Sequence, residues 1–332
     1  MDVAVIGAGS WGTALAQVAA RNGHNVRLWA RRDEVARAIN ETHRNPAYLK
    51  DADLSPAITA SSDCEHVIDG ADAVIVVTPS KFMRETAERL ASAQVGPDVP
   101  IVICTKGVEG ETGMVPVQIY EDVLGNPRRL AALSGPNHAE EIVKGVPAAT
   151  VVASEEPETA VFFQTLLGSE AFRVYTSKDV LGVELCAAFK NVIAIAVGVS
   201  YGLGYGDNTA AMLMTRGQAE MSRLVTAAGG SPLTCMGLAG TGDLIATCMS
   251  RHSRNRTFGE ALARGMTVDE YEAQHHMVAE GAQACKTIVT LSERFDVELP
   301  ICDVVRGMVW EGVAPEDVAE MLLTRTPKPE FY

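Results

Sequence analysis

The first half of the chain alternates short, continuous apolar runs with stretches of helical periodicity. Residues 3–6, 26–29, 73–77, 101–104, 130–133 and 149–152 are runs of this kind, rich in β-branched side chains. Runs that are apolar at every position, rather than at alternate ones, predict strands of a parallel sheet covered on both faces. Between the first two, residues 13–21 are rich in Ala, Leu and Gln and end at Asn22-Gly23, which predicts a helix and its stop. Strand, helix and strand together make a βαβ unit.

From about Ser177 onward the strand signal vanishes and helical periodicity takes over, beginning with a long segment over residues 179–199. Farther on, Thr267-Val-Asp-Glu270 has the form of a capping box, and Pro315 suits the first turn of a helix running through 317–323. The tail from Thr326 is expected to fray. A chain of 332 residues exceeds the roughly 250–300 that one core organises. Two domains are therefore expected: residues 1–178 as an α/β domain and residues 179–332 as an all-α domain.

Composition narrows the classes. With 47% hydrophobic and 21% charged residues the chain is of ordinary globular type. Its net charge of −14 opposes nucleic-acid binding and attachment to anionic membranes, so an anionic ligand needs a local cationic pocket. The seven cysteines are scattered without CxxC or Cys/His ligand spacing, as expected of buried thiols in a reducing cytoplasm. His275-His276 are adjacent and no HExxH occurs, so no metal is expected. The first apolar run breaks at Gly7, too early for a signal peptide. The most apolar stretch, residues 180–203, carries Glu184 and Lys190. It is read as a core helix rather than a membrane insertion.

Immediately after the first predicted strand stands Gly7-Ala8-Gly9-Ser10-Trp11-Gly12, a GxGxxG turn opening a helix. In a dinucleotide-binding βαβ unit the first glycine permits the turn, the second lets a diphosphate reach the backbone, and the third lets helix pack on strand. The predicted fold of the first domain is accordingly a Rossmann-like, doubly wound sheet. Where an acid would receive the adenosine ribose of NAD, the second strand ends in Ala30-Arg31-Arg32. Two cations there favour NADP(H). Asp33 and Glu34 follow closely, which keeps NAD(H) in play.

Other strand ends are small or polar: Thr78-Pro79-Ser80, Thr105-Lys106-Gly107 and Ser134-Gly135-Pro136-Asn137. Ligands of open α/β sheets sit outside the carboxyl ends of strands, so these loops and the glycine turn should face one crevice. In the helical half, Lys190 interrupts an apolar segment beside Asn191. An ammonium there is costly unless it is paired or functional, and desolvation lowers its pKa towards the range useful for proton transfer. The glycine-rich segment from Gly237 to Asp243, followed by Thr247, suggests backbone brought close to a ligand, with Asp243 able to orient the lysine or cap the next helix. Ser250-Arg-His-Ser253-Arg254-Asn255-Arg256 offers planar arginine forks suited to phosphate.

Taken in order and spacing over nearly the whole chain, Gly7–Gly12, Cys104-Thr-Lys106-Gly, Ser134-Gly-Pro-Asn137-His-Ala139-Glu, Lys190-Asn191, Gly240-Thr-Gly-Asp243-Leu, Ser253-Arg254-Asn255-Arg and Val278-Ala-Glu280-Gly resemble the bacterial type of soluble NAD(P)-dependent glycerol-3-phosphate dehydrogenases. The resemblance implies reversible reduction of dihydroxyacetone phosphate to sn-glycerol 3-phosphate for phospholipid synthesis, in a cytoplasmic enzyme that is a homodimer. It implies Lys190 as general acid/base and Lys106 as a contact to both cofactor and substrate. Gly135 and Asn137 would line the substrate loop, Thr247 would also bind substrate, and Asp243 with Asn191 would position Lys190. Ser253, Arg254 and Asn255 would hold the phosphate, with Arg254 also near the cofactor. Gly7, Gly9, Ser10, Trp11, Gly12, Arg31, Arg32, Tyr48, Ala139, Val278 and Glu280 would complete the cofactor site. Asn137 departs from the bacterial pattern of Ser or Thr and matches eukaryotic members.

Two other classes of protein share parts of this pattern. A 3-hydroxyacid or ketopantoate-type dehydrogenase also places a lysine on its first long helix, but has no need of Ser253-Arg254-Asn255 at this spacing from Asp243. A regulator that binds NADP(H) without turnover has no reason to bury Lys190.

Overall fold

A computed structural model describes residues 1–275, 280–323 and 329–330. His276, Val278 and most of the tail beyond Thr326 lie outside the described residues. Eight strands form one sheet: β1 (Asp2–Ile6), β2 (Asn25–Trp29), β3 (Ile58–Ser61), β4 (Ala73–Val76), β5 (Ile101–Ile103), β6 (Leu130–Ser134), β7 (Ala148–Ala153) and β8 (Phe172–Ser177). Their order is β3-β2-β1-β4-β5-β6-β7-β8.

All six apolar runs became strands. The reason is visible in β1, where Val3 and Val5 belong to one core and Ala4 and Ile6 to the other, on the opposite face. Helix Ser10–Arg21 covers the first face, and helices Met83–Ser92 and Pro116–Leu124 supply Leu90 and Tyr120 to the second. The two strands that the apolar pattern missed, β3 and β8, are the sheet's edges. There Phe172 and Val174 are buried while Arg173 and Tyr175 are exposed, a half-buried alternation rather than a continuous run.

One expectation needs correction. The sheet is not wholly parallel: β6 and β7 pair antiparallel, with Leu133 opposite Val152. The connection between them holds a helix of only four residues, Ala139–Ile142. That is too short to run back along the sheet as a parallel crossover must.

Two compact units result. The first comprises Met1–Ala187 with Gly229–Asp243, and the second Ala188–Ala228 with Leu244–Tyr332. All regular structure described in the second is helical. Small residues let its helices approach closely: a side chain added at Gly259 would strike the Ile195 carbonyl. The capping box forms as read, with Thr267 N donating to Glu270 Oε2 at 2.9 Å and Glu270 N donating to Thr267 Oγ1 at 3.3 Å.

The most apolar segment is helix Val180–Gly202, and 94% of its most apolar 18 residues are buried. It is a core helix. Both of its charges have local uses. Glu184 accepts from Val117 N with both carboxylate oxygens, at 3.0 and 3.2 Å, at the first turn of helix Pro116–Leu124. Burial holds the Glu184 carboxyl well above the usual carboxylate range.

Candidate active site

The glycine turn sits at the carboxyl end of β1, between β2 and β4, where the strand order reverses. Ligands of doubly wound sheets bind at this point. Gly7 has φ +123, and a Cβ there would lie 2.6 Å from Val77 O. At Gly12 a Cβ would run into the Gly7 carbonyl, so this glycine is required for packing. Gly9 differs: nothing lies within 4 Å of an added Cβ. The open space at Gly9, above the start of a twelve-residue helix with no side-chain cap, fits a diphosphate held by backbone amides.

A short strap braces the turn from behind. Asn45, fully buried, donates from Nδ2 to Ala8 O at 2.9 Å and to Thr13 Oγ1 at 2.8 Å. Ser10 Oγ donates to Tyr48 O at 2.8 Å, and Arg32 donates to Tyr48 Oη at 3.3 Å while its guanidinium lies 5.5 Å from the Tyr48 ring centre. Ser10, Arg32 and Tyr48 are thus brought together. Asn45 is the site residue that sequence reading missed. Only the turn-forming pair Asn45-Pro46 marked the loop.

The acids following Arg32 are already engaged. Asp33 pairs with Arg37 at 3.1 Å and Glu34 with Arg32 at 3.5 Å.

At the ends of β5 and β6 the first unit gathers Lys106, Gly135 and Asp243. Lys106 Nζ donates to Asp243 Oδ2 at 2.6 Å and reaches Gly135 O at 3.4 Å. Asp243, expected to position Lys190, is in this unit the carboxylate of Lys106, a pairing that sequence reading did not anticipate. Asp243 is 2% exposed. Lys106 is only partly buried, so the pair sets a lysine at the edge of solvent against a buried carboxylate, and removing the lysine takes away that carboxylate's cationic partner. A Cβ at Gly135 would lie 2.9 Å from Thr150 Cα, so glycine keeps this loop against β7. Asn137 Nδ2 donates to Ala149 O at 3.1 Å, while its Oδ1 is buried with no hydrogen-bond partner among the described residues. Ala139 is buried at the start of its short helix.

In the second unit Lys190 is 6% exposed, and its Nζ donates to Thr247 Oγ1 at 2.7 Å. The adjacent Asn191 accepts through Oδ1 from Asn255 Nδ2 at 2.9 Å, and Asn255 Oδ1 accepts from Gly281 N at 2.9 Å. Asn255 thus ties Lys190's neighbour to the start of helix Glu280–Phe295. Ser253 caps helix Arg254–Leu262 by accepting from Arg256 N at 3.3 Å. Of the arginines in this segment, Arg256 lies on the Tyr201 ring at 4.6 Å and pairs with Glu260 at 3.1 Å. Arg254 is exposed, and among the described residues its guanidinium has no hydrogen-bond or ion-pair partner. This suits it, rather than Arg256, to an anionic ligand.

A dinucleotide cradle on a doubly wound sheet, a lysine–aspartate pair at the strand ends, and a buried lysine in a following helical unit define the class as a two-unit nicotinamide-dependent dehydrogenase. Comparison with known proteins specifies the family. Residues 2–160 match the NAD-dependent glycerol-3-phosphate dehydrogenase N-terminus and residues 179–320 the C-terminus of the same family. A glycerol-3-phosphate dehydrogenase [NAD(P)+] of Corynebacterium urealyticum is 45% identical over 99% of this chain and 100% of its own. The crystal structure of glycerol-3-phosphate dehydrogenase from Coxiella burnetii superposes with a TM-score of 0.93 at 34% identity, covering 98% of this chain and 99% of that one. A ketopantoate reductase from Ralstonia eutropha shares the fold at TM-score 0.60 and 20% identity, over 97% of this chain and 100% of that one. The chain belongs to the NAD-dependent glycerol-3-phosphate dehydrogenase family and is an oxidoreductase.

Proposed function

We propose that the protein catalyses the NAD(P)H-dependent, reversible reduction of dihydroxyacetone phosphate to sn-glycerol 3-phosphate, feeding glycerophospholipid synthesis. Residues 1–178 form the dinucleotide-binding domain and residues 179–332 the helical domain that carries Lys190 and the phosphate-binding segment. The observation that carries this reading is the Lys190–Thr247 and Asn191–Asn255 framework. It fixes a buried ammonium relative to the segment bearing Ser253 and Arg254, as a substrate with a carbonyl and a remote phosphate requires.

When bound, the dihydronicotinamide supplies hydride to the carbonyl carbon of the substrate. Lys190 Nζ meets the oxygen that becomes an alkoxide, neutralises it and delivers its proton. Thr247 aims the ammonium. Lys106, oriented by Asp243, adds a second positive charge at the strand ends, facing both cofactor and substrate. Asn137 Oδ1, its amide nitrogen spent on Ala149, is left to accept a substrate hydroxyl. Arg254, Ser253 and Asn255 hold the phosphate, and binding energy gained there positions the reacting carbon.

The cofactor cradle comprises Gly7, Gly9, Ser10, Trp11, Gly12, Arg31, Arg32, Tyr48, Ala139 and Glu280, with Lys106 and Arg254 shared. NADP(H) is preferred over NAD(H), because Arg31 and Arg32 stand where a ribose-binding acid would, and Asp33 and Glu34 are paired off. The seven cysteines, all buried and none in a disulfide, accord with a reducing cytoplasm, and a homodimer is the assembly proposed.

The test is to mix protein, NADPH and dihydroxyacetone phosphate and follow nicotinamide absorbance. Steady decay is expected. No decay with this substrate, together with decay on a 2- or 3-keto acid, overturns the assignment.

A further inference from the structure

The loop after β4 holds a cation that the site described above does not use. β1 pairs with β2 on one side and β4 on the other, in a register that places Ile6 opposite both Trp29 and Val76. The loops leaving β2 and β4 therefore flank the glycine turn. From the β2 loop, the Arg31 guanidinium lies 5.7 Å from the centre of the Phe82 ring; Lys81 Nζ, in the β4 loop, lies 5.0 Å from the same centre. Among the described residues, neither Arg31 nor Lys81 takes part in an ion pair or hydrogen bond, whereas nearby Asp33 and Glu34 are already paired with Arg37 and Arg32. Two cations thus share one ring without an acidic partner among the described residues, in a chain of net charge −14. An anion held beside this ring is within reach of both charges.

We propose that Lys81 is a specificity-determining residue that joins Arg31 and Arg32 in gripping the 2′-phosphate of NADP(H), the β4 loop closing the phosphate subsite from the side opposite β2. The proposal rests on the preference for NADP(H) given above and adds a second strand's loop to it. Lys81 supplies a point charge with three donors on a flexible stem, and the arginines supply planar forks, so the three share one phosphate without competing for the same geometry. NADH, lacking that phosphate, gains nothing from Lys81.

Binding of adenosine 2′,5′-bisphosphate and of adenosine 5′-monophosphate to the full-length protein, measured by titration calorimetry, tests this without turnover. The wild type should bind the bisphosphate more tightly. Lys81→Gln should weaken the bisphosphate about tenfold, the loss expected for one charge-assisted contact, and leave the monophosphate within about twofold. Lys81→Arg should restore most of the loss. If the wild type does not distinguish the two nucleotides, both the NADP(H) preference and the role of Lys81 are overturned. If it does distinguish them but Lys81→Gln changes neither, or both equally, the role of Lys81 alone is overturned and Arg31 with Arg32 suffices.

Discussion

Asn45 shows how one side chain sets the geometry of a site that it need not touch. Wholly buried, it holds the Ala8 carbonyl and the Thr13 hydroxyl, fixing the glycine turn against the first turn of its helix. Each such bond contributes about 1 kcal/mol net, and a buried group left unsatisfied costs about 1–3. Asn45→Ala is therefore expected to raise KM for NADPH and NADH together, by about tenfold, with KM for the phosphorylated substrate little changed. Steady-state kinetics with each ligand varied in turn checks this. A uniform loss of kcat with unaltered nucleotide KM would contradict it. The same scale explains what sequence reading could and could not find. Lys190 stood out as a charge in an apolar segment, and Arg31-Arg32 as cations where an acid was expected. Asn45, an ordinary loop asparagine, and Lys81, an ordinary loop lysine, did not, because their significance comes from atoms brought in from elsewhere in the chain.

At the scale of elements, the glycines of the turn separate folding from binding. Gly12→Ala should destabilise the protein, since the added Cβ meets the Gly7 carbonyl. Gly9→Ala should melt near the wild-type temperature yet bind nucleotide poorly, since its Cβ enters only the space proposed for the diphosphate. Melting temperature and nucleotide KM for the two variants should move in opposite patterns. In the second unit, helix Pro300–Trp310 begins on a buried carboxyl: Glu220 accepts from Ile301 N at 2.9 Å and Cys302 N at 3.4 Å. Burial, joined by Asp303, pushes its pKa up to about 7 against the pull of those amides and Arg223. The folded state thus holds a proton between the unfolded value of about 4.5 and about 7 that the unfolded chain has released. Stability from this group is fully present below about pH 4.5 and is lost as pH rises towards 7, to the extent of about 3 kcal/mol. Glu220→Gln, which keeps the acceptor, should flatten the fall in melting temperature between pH 5 and 8. An unchanged pH profile would exclude Glu220 as its source.

At the scale of the whole molecule, the units do not divide the chain at one point. Residues 229–243 return to the first unit, where Asp243 pairs with Lys106 and the Asp179 carboxylate accepts from Ser231 N at 2.9 Å and Thr234 Oγ1 at 2.5 Å. A fragment of residues 1–187 alone should therefore melt at least about 5 °C below one in which a short Gly/Ser linker joins residue 187 to residues 229–243. Each kcal/mol restored is worth about 2–4 °C in a domain of this size. Equal melting temperatures would show that the returning segment adds nothing to the first unit.

The sequence by itself determined the six central strands, the βαβ opening, the glycine turn and the switch to helix after Ser177, because hydrophobic period and turn chemistry are local properties of the chain. It also determined which residue types carry the chemistry. Only the tertiary structure decided that β6 and β7 run antiparallel, that β3 and β8 close the sheet's edges, and that Asp243 reaches Lys106 across 137 positions of sequence. Pairing partners are chosen by where strands and loops end in space, and no local pattern encodes that distance.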